Sequence, residues 1–150
     1  DNLQFRESPH SPVHPATQAK PLTIPRSIQL AEYGENDFYK AHSDNSLASR
    51  GVRSNFRHYT CILYCNDDWT PAMGGALRLY PGSRDFTTPE DAQVSCSHVD
   101  INPLNGRLLI FDSCLTHSVE KVLQSRQARR ALTLWITRPD DSGVKGEVFY

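Results

Sequence analysis

The stretch RHYTCILYCN, residues 57–66, decides the fold. It is rich in β-branched and aromatic residues, lacks helical spacing, and is stopped by DDWTPAMGG at 67–75. Read as a strand, it divides with a period of two. Thr60, Ile62 and Tyr64 share one face, while Tyr59, Cys61, Leu63 and Cys65 share the other. A later stretch divides the same way: Arg129, Ala131, Thr133 and Trp135 lie opposite Arg130, Leu132, Leu134 and Ile136. Each strand thus has one apolar face and one mixed face. A mixed face of Tyr, Thr, Trp and Arg suits the wall of a ligand cavity inside a sandwich. The apolar backs need cover, and the chain shows no obvious helices to give it. Supporting helices are therefore expected upstream, or the N-terminal lead-in is expected to wrap back.

Working outward, further short β-type runs alternate with turn signals. SIQLAEY (27–33) precedes Gly34, ALRLY (76–80) precedes PGS, and VSCSHVDI (94–101) precedes NPLNG. RLLIFD (107–112), HSVEKVL (117–123) and RALTLWIT (130–137) complete the series. Many short strands separated by turns indicate an all-β sandwich or barrel. Residues 120–132 admit a short helix, although the Val, Leu, Trp, Ile and Thr that follow favour strand. Residues 1–26 carry Pro9, Pro12, Pro15, Pro21 and Pro25, a composition that predicts an extended lead-in or loop.

The totals agree with one domain. At 150 residues, a chain can bury ~68–70% of its unfolded surface. A formal net charge of −1 gives no reason to expect a nucleic-acid partner. No apolar run of transmembrane length occurs, so no membrane partner is expected. No signal-peptide pattern is visible in this stretch, which begins at Asp1. Cys61, Cys65, Cys96 and Cys114 show no CxxC spacing, which argues against a zinc ribbon or thioredoxin-type motif. They are expected to be reduced and buried, favouring a cytoplasmic or nuclear setting.

FYKAHSDNSL (38–47) places His42 and Asp44 two residues apart, so a strand end would turn both to one side. His117 opens a later strand. Two imidazoles and one carboxylate form the facial triad of non-haem iron oxygenases. Spacing alone favours three unrelated polar residues. The other histidines differ: His10 and His14 lie in the proline-rich lead-in, and His58 and His98 read as structural or surface positions. Arg129 projects to the mixed face, where a guanidinium could clasp a carboxylate through two parallel hydrogen bonds. It also belongs to the basic cluster RQARR (126–130), a pattern usually solvated. Alternation makes Arg129 the inward arginine, Arg130 the outward one, and Arg126 a loop residue.

Taken together, LAEYGENDFYKAHSDN, RHYTCILYCNDDWTPAMGGALRLYP, VDINPLNGRLLIFDS, THSVEKV and RRALTLWITRP cover about residues 28–139. In this order they resemble the Fe(II)- and 2-oxoglutarate-dependent dioxygenases of the prolyl 4-hydroxylase group, and most closely the hypoxia-inducible-factor prolyl hydroxylase type. The resemblance implies a double-stranded β-helix, the cupin-like jelly roll. It implies a catalytic domain over 27–139, preceded by the lead-in 1–26 and followed by a C-terminal extension, 140–150. His42, Asp44 and His117 match the iron ligands. Arg129 matches the arginine that binds the distal carboxylate of 2-oxoglutarate, and Tyr64 the tyrosine that assists it. Thr60, Ile62, Leu77 and Trp135 match residues lining the co-substrate pocket, Tyr33 an aromatic near the metal, and Gly74 and Gly75 the turn before a strand.

The implied chemistry hydroxylates a C–H bond, most readily of a prolyl residue in a protein or peptide, and releases succinate and CO2. Iron(II), 2-oxoglutarate, O2 and ascorbate as reductant are the implied cofactors. Asp44 favours hydroxylation, because related halogenases lack this carboxylate and bind halide there. Another amino-acid residue or a small molecule as substrate, and a non-catalytic jelly-roll module, are the alternatives. A zinc hydrolase would use the same three ligand types but leaves Arg129 without a role. Two departures stand out. The connection from His117 to the arginine is long, so counting from the histidine points near Arg126, whereas the RxALTxW register selects Arg129. Residues 45–57 and 81–93 also differ in character from the hypoxia-sensing enzymes, and such loops usually shape the macromolecular substrate site.

Overall fold

The computed structural model describes residues 20–47, 53–83, 91, 97–123 and 127–138. Among the described residues, eight strands run β1 Gln29–Tyr33, β2 Tyr39–His42, β3 Arg57–Tyr64, β4 Leu77–Leu79, β5 Val99–Ile101, β6 Leu108–Asp112, β7 His117–Val119 and β8 Arg129–Thr137. Pro71–Met73 forms a 3-10 turn between β3 and β4. The strands form two four-stranded sheets, ordered β1-β8-β3-β6 and β2-β7-β4-β5. All the pairings are antiparallel. The architecture is the all-β jelly roll. Among the described residues, no helix is long and apolar enough to cross a membrane.

The core forms where the inward faces of the two sheets meet. Ile62, Tyr64, Leu77, Phe111, Val119 and Ala131 are buried together, with Tyr33, Leu79, Ile101, Leu109 and Leu115 packed against them. Each large side chain removed from water in this way contributes about 1.5–3 kcal/mol. The period of two is plain in β6, where Leu109 and Phe111 turn inward and Leu108 and Ile110 outward. The outward apolar side chains of the first sheet are open, with Leu108 60% and Ile110 55% exposed.

Three local outcomes differ from the sequence expectation. Tyr39–His42 is a strand in its own right, because pairing with β7 recruits a stretch too short and polar to stand out by composition. Of the β-type run 117–123 only His117–Val119 is strand; Val122 makes an isolated bridge to Gly74 before the chain leads on to β8. Cys61 and Cys114 are buried as expected, but Cys65 is exposed, because it lies on the outward face of β3, which is open at Tyr59 and Leu63 as well. From the lead-in, Thr23 pairs with Thr137 through two backbone hydrogen bonds of 2.7 and 2.9 Å. Residues 1–19, with His10 and His14, Arg126, Cys96, most of the 81–93 insert and the extension 140–150 lie outside the described residues.

The turn into β4 needs its double glycine. Gly74 and Gly75 have φ of 71° and 67°, in the left-handed region. A side chain on Gly74 would collide with the Lys121 carbonyl oxygen, and a Cβ on Gly75 would lie 2.9 Å from Arg129 Cδ.

Candidate metal and co-substrate site

Pairing of β2 with β7 sets His42 directly opposite His117. Asp44 follows in the turn after β2, and one ligand atom from each of the three residues lies within 4.8 Å of the others. Asp44 Oδ1 is 3.8 Å from His42 Nε2, and Oδ2 is 3.8 Å from His117 Nε2. Each imidazole has its other nitrogen beside a backbone carbonyl: His42 Nδ1 is 2.9 Å from Lys40 O, and His117 Nδ1 is 3.0 Å from Leu115 O. A carbonyl can only accept, so the proton belongs on Nδ1 and the Nε2 lone pair faces the cluster. Burial, reinforced by His42, holds the pKa of His117 below the usual histidine value and so favours the neutral form a metal requires. Thr60 Oγ1 donates to Asp44 Oδ2 at 2.5 Å.

The three residues open into a cavity of about 370 Å³ between the sheets. Its walls include Tyr33, Thr60, Ile62, Leu77, Arg129 and Trp135, all expected from the sequence. They also include Tyr39, Arg57, Val119 and Thr133. Tyr64 is fully buried beside Arg129 rather than in the wall. The cavity has two chemically different ends. Thr60, hydrogen-bonded to Asp44, pairs with Trp135 across the sheet, whereas Tyr64 pairs with Ala131, beside Arg129. Thr60 and Tyr64 are separated by ~13 Å along the strand.

Arg129 is 2% exposed, and its Nε donates to Gly75 O at 2.7 Å. Its guanidinium carbon lies 5.1 Å from the ring centres of both Tyr33 and Tyr64. Tyr33, expected as an aromatic near the metal, faces Arg129 in the β1–β8 register. Among the described residues, no carboxylate forms an ion pair with Arg129. Among the described residues, the buried Tyr64 hydroxyl has no partner in hydrogen-bond geometry. Arg129 is near enough for its charge to act on the phenol, but the geometry falls short of a hydrogen bond. Burial raises the Tyr64 pKa, with Arg129 opposing it, so the phenol keeps its proton as a donor. Burial lowers the Arg129 pKa, yet a guanidinium remains charged at neutral pH. An uncompensated charge and an orphan donor side by side are costly. Both are satisfied by a carboxylate.

Arg57 was not singled out from the sequence. Strict alternation from Thr60 would turn it away from the cavity, but the β3–β8 register shifts between Arg57 and Tyr59, bringing it inward. Its guanidinium lies 3.9 Å over the Trp135 ring and 4.0 Å from Asp44 Oδ1. Gly75 was read only as a turn residue; its carbonyl is also the cradle of Arg129. Neither His58 nor His98 joins the metal cluster, in keeping with their sequence reading.

A jelly roll that gathers two histidines and one aspartate at a cavity defines the scaffold class of the non-haem iron oxygenases. The donor set suits iron(II), and the buried arginine and phenol suit an acidic co-substrate. The family model described as the 2OG-Fe(II) oxygenase superfamily matches residues 28–137. The chain belongs to that family. It is 34% identical over 110 residues to a hypoxia-inducible factor prolyl hydroxylase of Caenorhabditis elegans, an alignment covering 71% of this chain and 12% of the relative. Among solved structures, it is similar to a prolyl-4-hydroxylase of Pseudomonas putida, with 27% identity and a TM-score of 0.54, covering 75% of this chain and 51% of that one. It is also similar to a Trichoplax adhaerens prolyl hydroxylase solved with a peptide fragment of the hypoxia inducible factor oxygen degradation domain. That match has 27% identity and a TM-score of 0.56, covering 80% of this chain and 46% of that one. The chain thus spans about half the length of these solved relatives and a small part of the nematode protein.

Proposed function

We propose that this chain is the catalytic core of an Fe(II)- and 2-oxoglutarate-dependent dioxygenase that hydroxylates a prolyl residue of a protein or peptide, releasing succinate and CO2. The observation that carries the reading is Arg129: a buried guanidinium without a carboxylate partner among the described residues, in the same cavity as His42, Asp44 and His117. Those three residues would hold the iron, and the bound metal with 2-oxoglutarate and O2 supplies the oxidising power. The protein supplies position and exclusion of water. Arg129 takes the far carboxylate of 2-oxoglutarate in two parallel charge-assisted hydrogen bonds, and the Tyr64 hydroxyl donates a third. Ile62, Leu77 and Val119 enclose the stem of the co-substrate in an apolar sleeve, which strengthens those bonds by excluding water. The prolyl preference is supported by the prolyl hydroxylases among the relatives, one of which holds a peptide. Ascorbate as reductant rests on the same kinship.

The test is succinate formation from 2-oxoglutarate with added iron(II), comparing the parent with Asp44→Ala. Iron-dependent turnover is expected in the parent and absent from the variant. No turnover from the parent or from a longer form containing it would remove the enzyme reading. A peptide screen by mass spectrometry, seeking a gain of one oxygen, then identifies the substrate. Gain on prolyl peptides is expected, and gain only on other residues or small molecules would overturn the prolyl assignment.

A further inference from the structure

Behind Asp44 lies a second buried hydroxyl. Thr60 Oγ1, which donates to Asp44 Oδ2, is 3.0 Å from Ser113 Oγ. The direction of this chain follows from counting protons. A carboxylate only accepts, and the threonine hydroxyl has one proton to give. That proton goes to Asp44, so in the second contact Ser113 is the donor and Thr60 the acceptor.

Ser113 is fully buried, and its backbone is tied on both sides. Its N–H donates to His58 O at 3.0 Å, and its carbonyl accepts from the N–H of Asn45, the residue after Asp44, at 2.9 Å. Arg53 grips the two neighbours of Ser113, donating to Asp112 Oδ2 at 2.7 Å and to Cys114 Sγ at 3.0 Å. The hydroxyl is therefore presented to Thr60 from a fixed point, through a backbone that is also fastened to the Asp44 turn.

We propose that Ser113 is a positioning residue of the metal centre. It polarises and orients the Thr60 hydroxyl, which holds Oδ2 of Asp44 and leaves Oδ1 as the oxygen offered to the iron. This rests on the iron-site reading above. A donor that itself accepts a hydrogen bond donates more strongly, and a carboxylate with one oxygen held keeps its orientation.

Mn(II) binding to the 150-residue chain, followed by EPR titration, reads the metal site without turnover. Parent binding is expected, with Thr60→Val weakened by about 10–100-fold, the range for loss of a direct partner of a ligand, and Ser113→Ala by about tenfold. Ser113→Cys, a near-isosteric weak donor, falls between parent and alanine and serves if alanine unfolds. The deciding measurement is the cycle: in the Thr60→Val background, Ser113→Ala adds no further loss. A parent that binds no Mn(II) overturns the iron-site reading and this inference with it. A parent that binds, with Ser113→Ala at parental affinity or with losses that multiply in the double variant, overturns the role of Ser113 alone.

Discussion

On the inward face of the β1-β8-β3-β6 sheet, Arg129, Thr133 and Thr60 are buried; on the outward face of the same strands, Leu30, Leu63, Leu108 and Ile110 are exposed. Ordinary sandwiches place polarity the other way, with apolar residues inward and polar residues out. The difference separates two uses of burial. The inward polar groups have a geometry that a ligand completes, while the outward leucines form a surface of the kind that marks contact with other protein.

The largest effect should follow from emptying the inward face of its charge. Arg129→Ala is expected to weaken 2-oxoglutarate binding by on the order of 30-fold or more, the usual loss when one partner of a buried charge pair is truncated. Arg126→Ala should change it little, and calorimetric titration of both compares them directly; a larger loss with Arg126→Ala would shift the register of the anchor. Arg129→Met sharpens the contrast. Without co-substrate its thermal midpoint should equal or exceed the parent's, because an unpaired buried charge has been removed. A fall of several degrees would mean that a partner already neutralises Arg129.

Next comes Gly75→Ala. The backbone at φ 67° and the Arg129 side chain both resist a methyl group. A loss of about 1–2 kcal/mol in stability is expected from the left-handed conformation alone, visible in denaturant unfolding. Weaker 2-oxoglutarate binding should accompany it, because the carbonyl that cradles Arg129 moves.

On the outward face the effects should be smaller. Ile110→Ser is expected to change stability by within about 0.5 kcal/mol, as at an open surface position, read by denaturant unfolding. A loss of several kcal/mol would show that this face is covered by other protein in the parent. Smallest of all is Arg130→Ala. Arg130 Nε lies 2.6 Å from Glu32 Oε1, yet both side chains are half exposed. Such a pair contributes at most about 1 kcal/mol, and neither unfolding nor 2-oxoglutarate titration should register more.

The same contrast explains what was legible. Face assignment along β3 and β8 follows from alternation, which alone puts Thr60, Ile62, Arg129 and Trp135 on the face that lines the cavity. Arg57 escaped because a register shift breaks that alternation, and a shift depends on the partner strand rather than on local sequence. Ser113 escaped for a related reason: at the turn after β6 it belongs to no face, and its meaning comes from Thr60, far away in sequence. Alternation puts Cys65 on the correct, outward face, but whether that face is covered depends on the rest of the structure, and at Cys65 it is open.

The sequence by itself determined the all-β class and which side chains share a face, because both depend on neighbours one or two residues away. Its resemblance to a known group identified His42, Asp44 and His117 as a set, and residue types alone left that set open. Only the tertiary structure decided that His42 and His117 stand opposite one another, that Asp44 is held by Thr60, and that Arg129 is buried without a carboxylate partner among the described residues. These depend on strands that meet only after long loops close, and on burial, which turns a hydroxyl or a guanidinium from a solvated group into one that must find a partner.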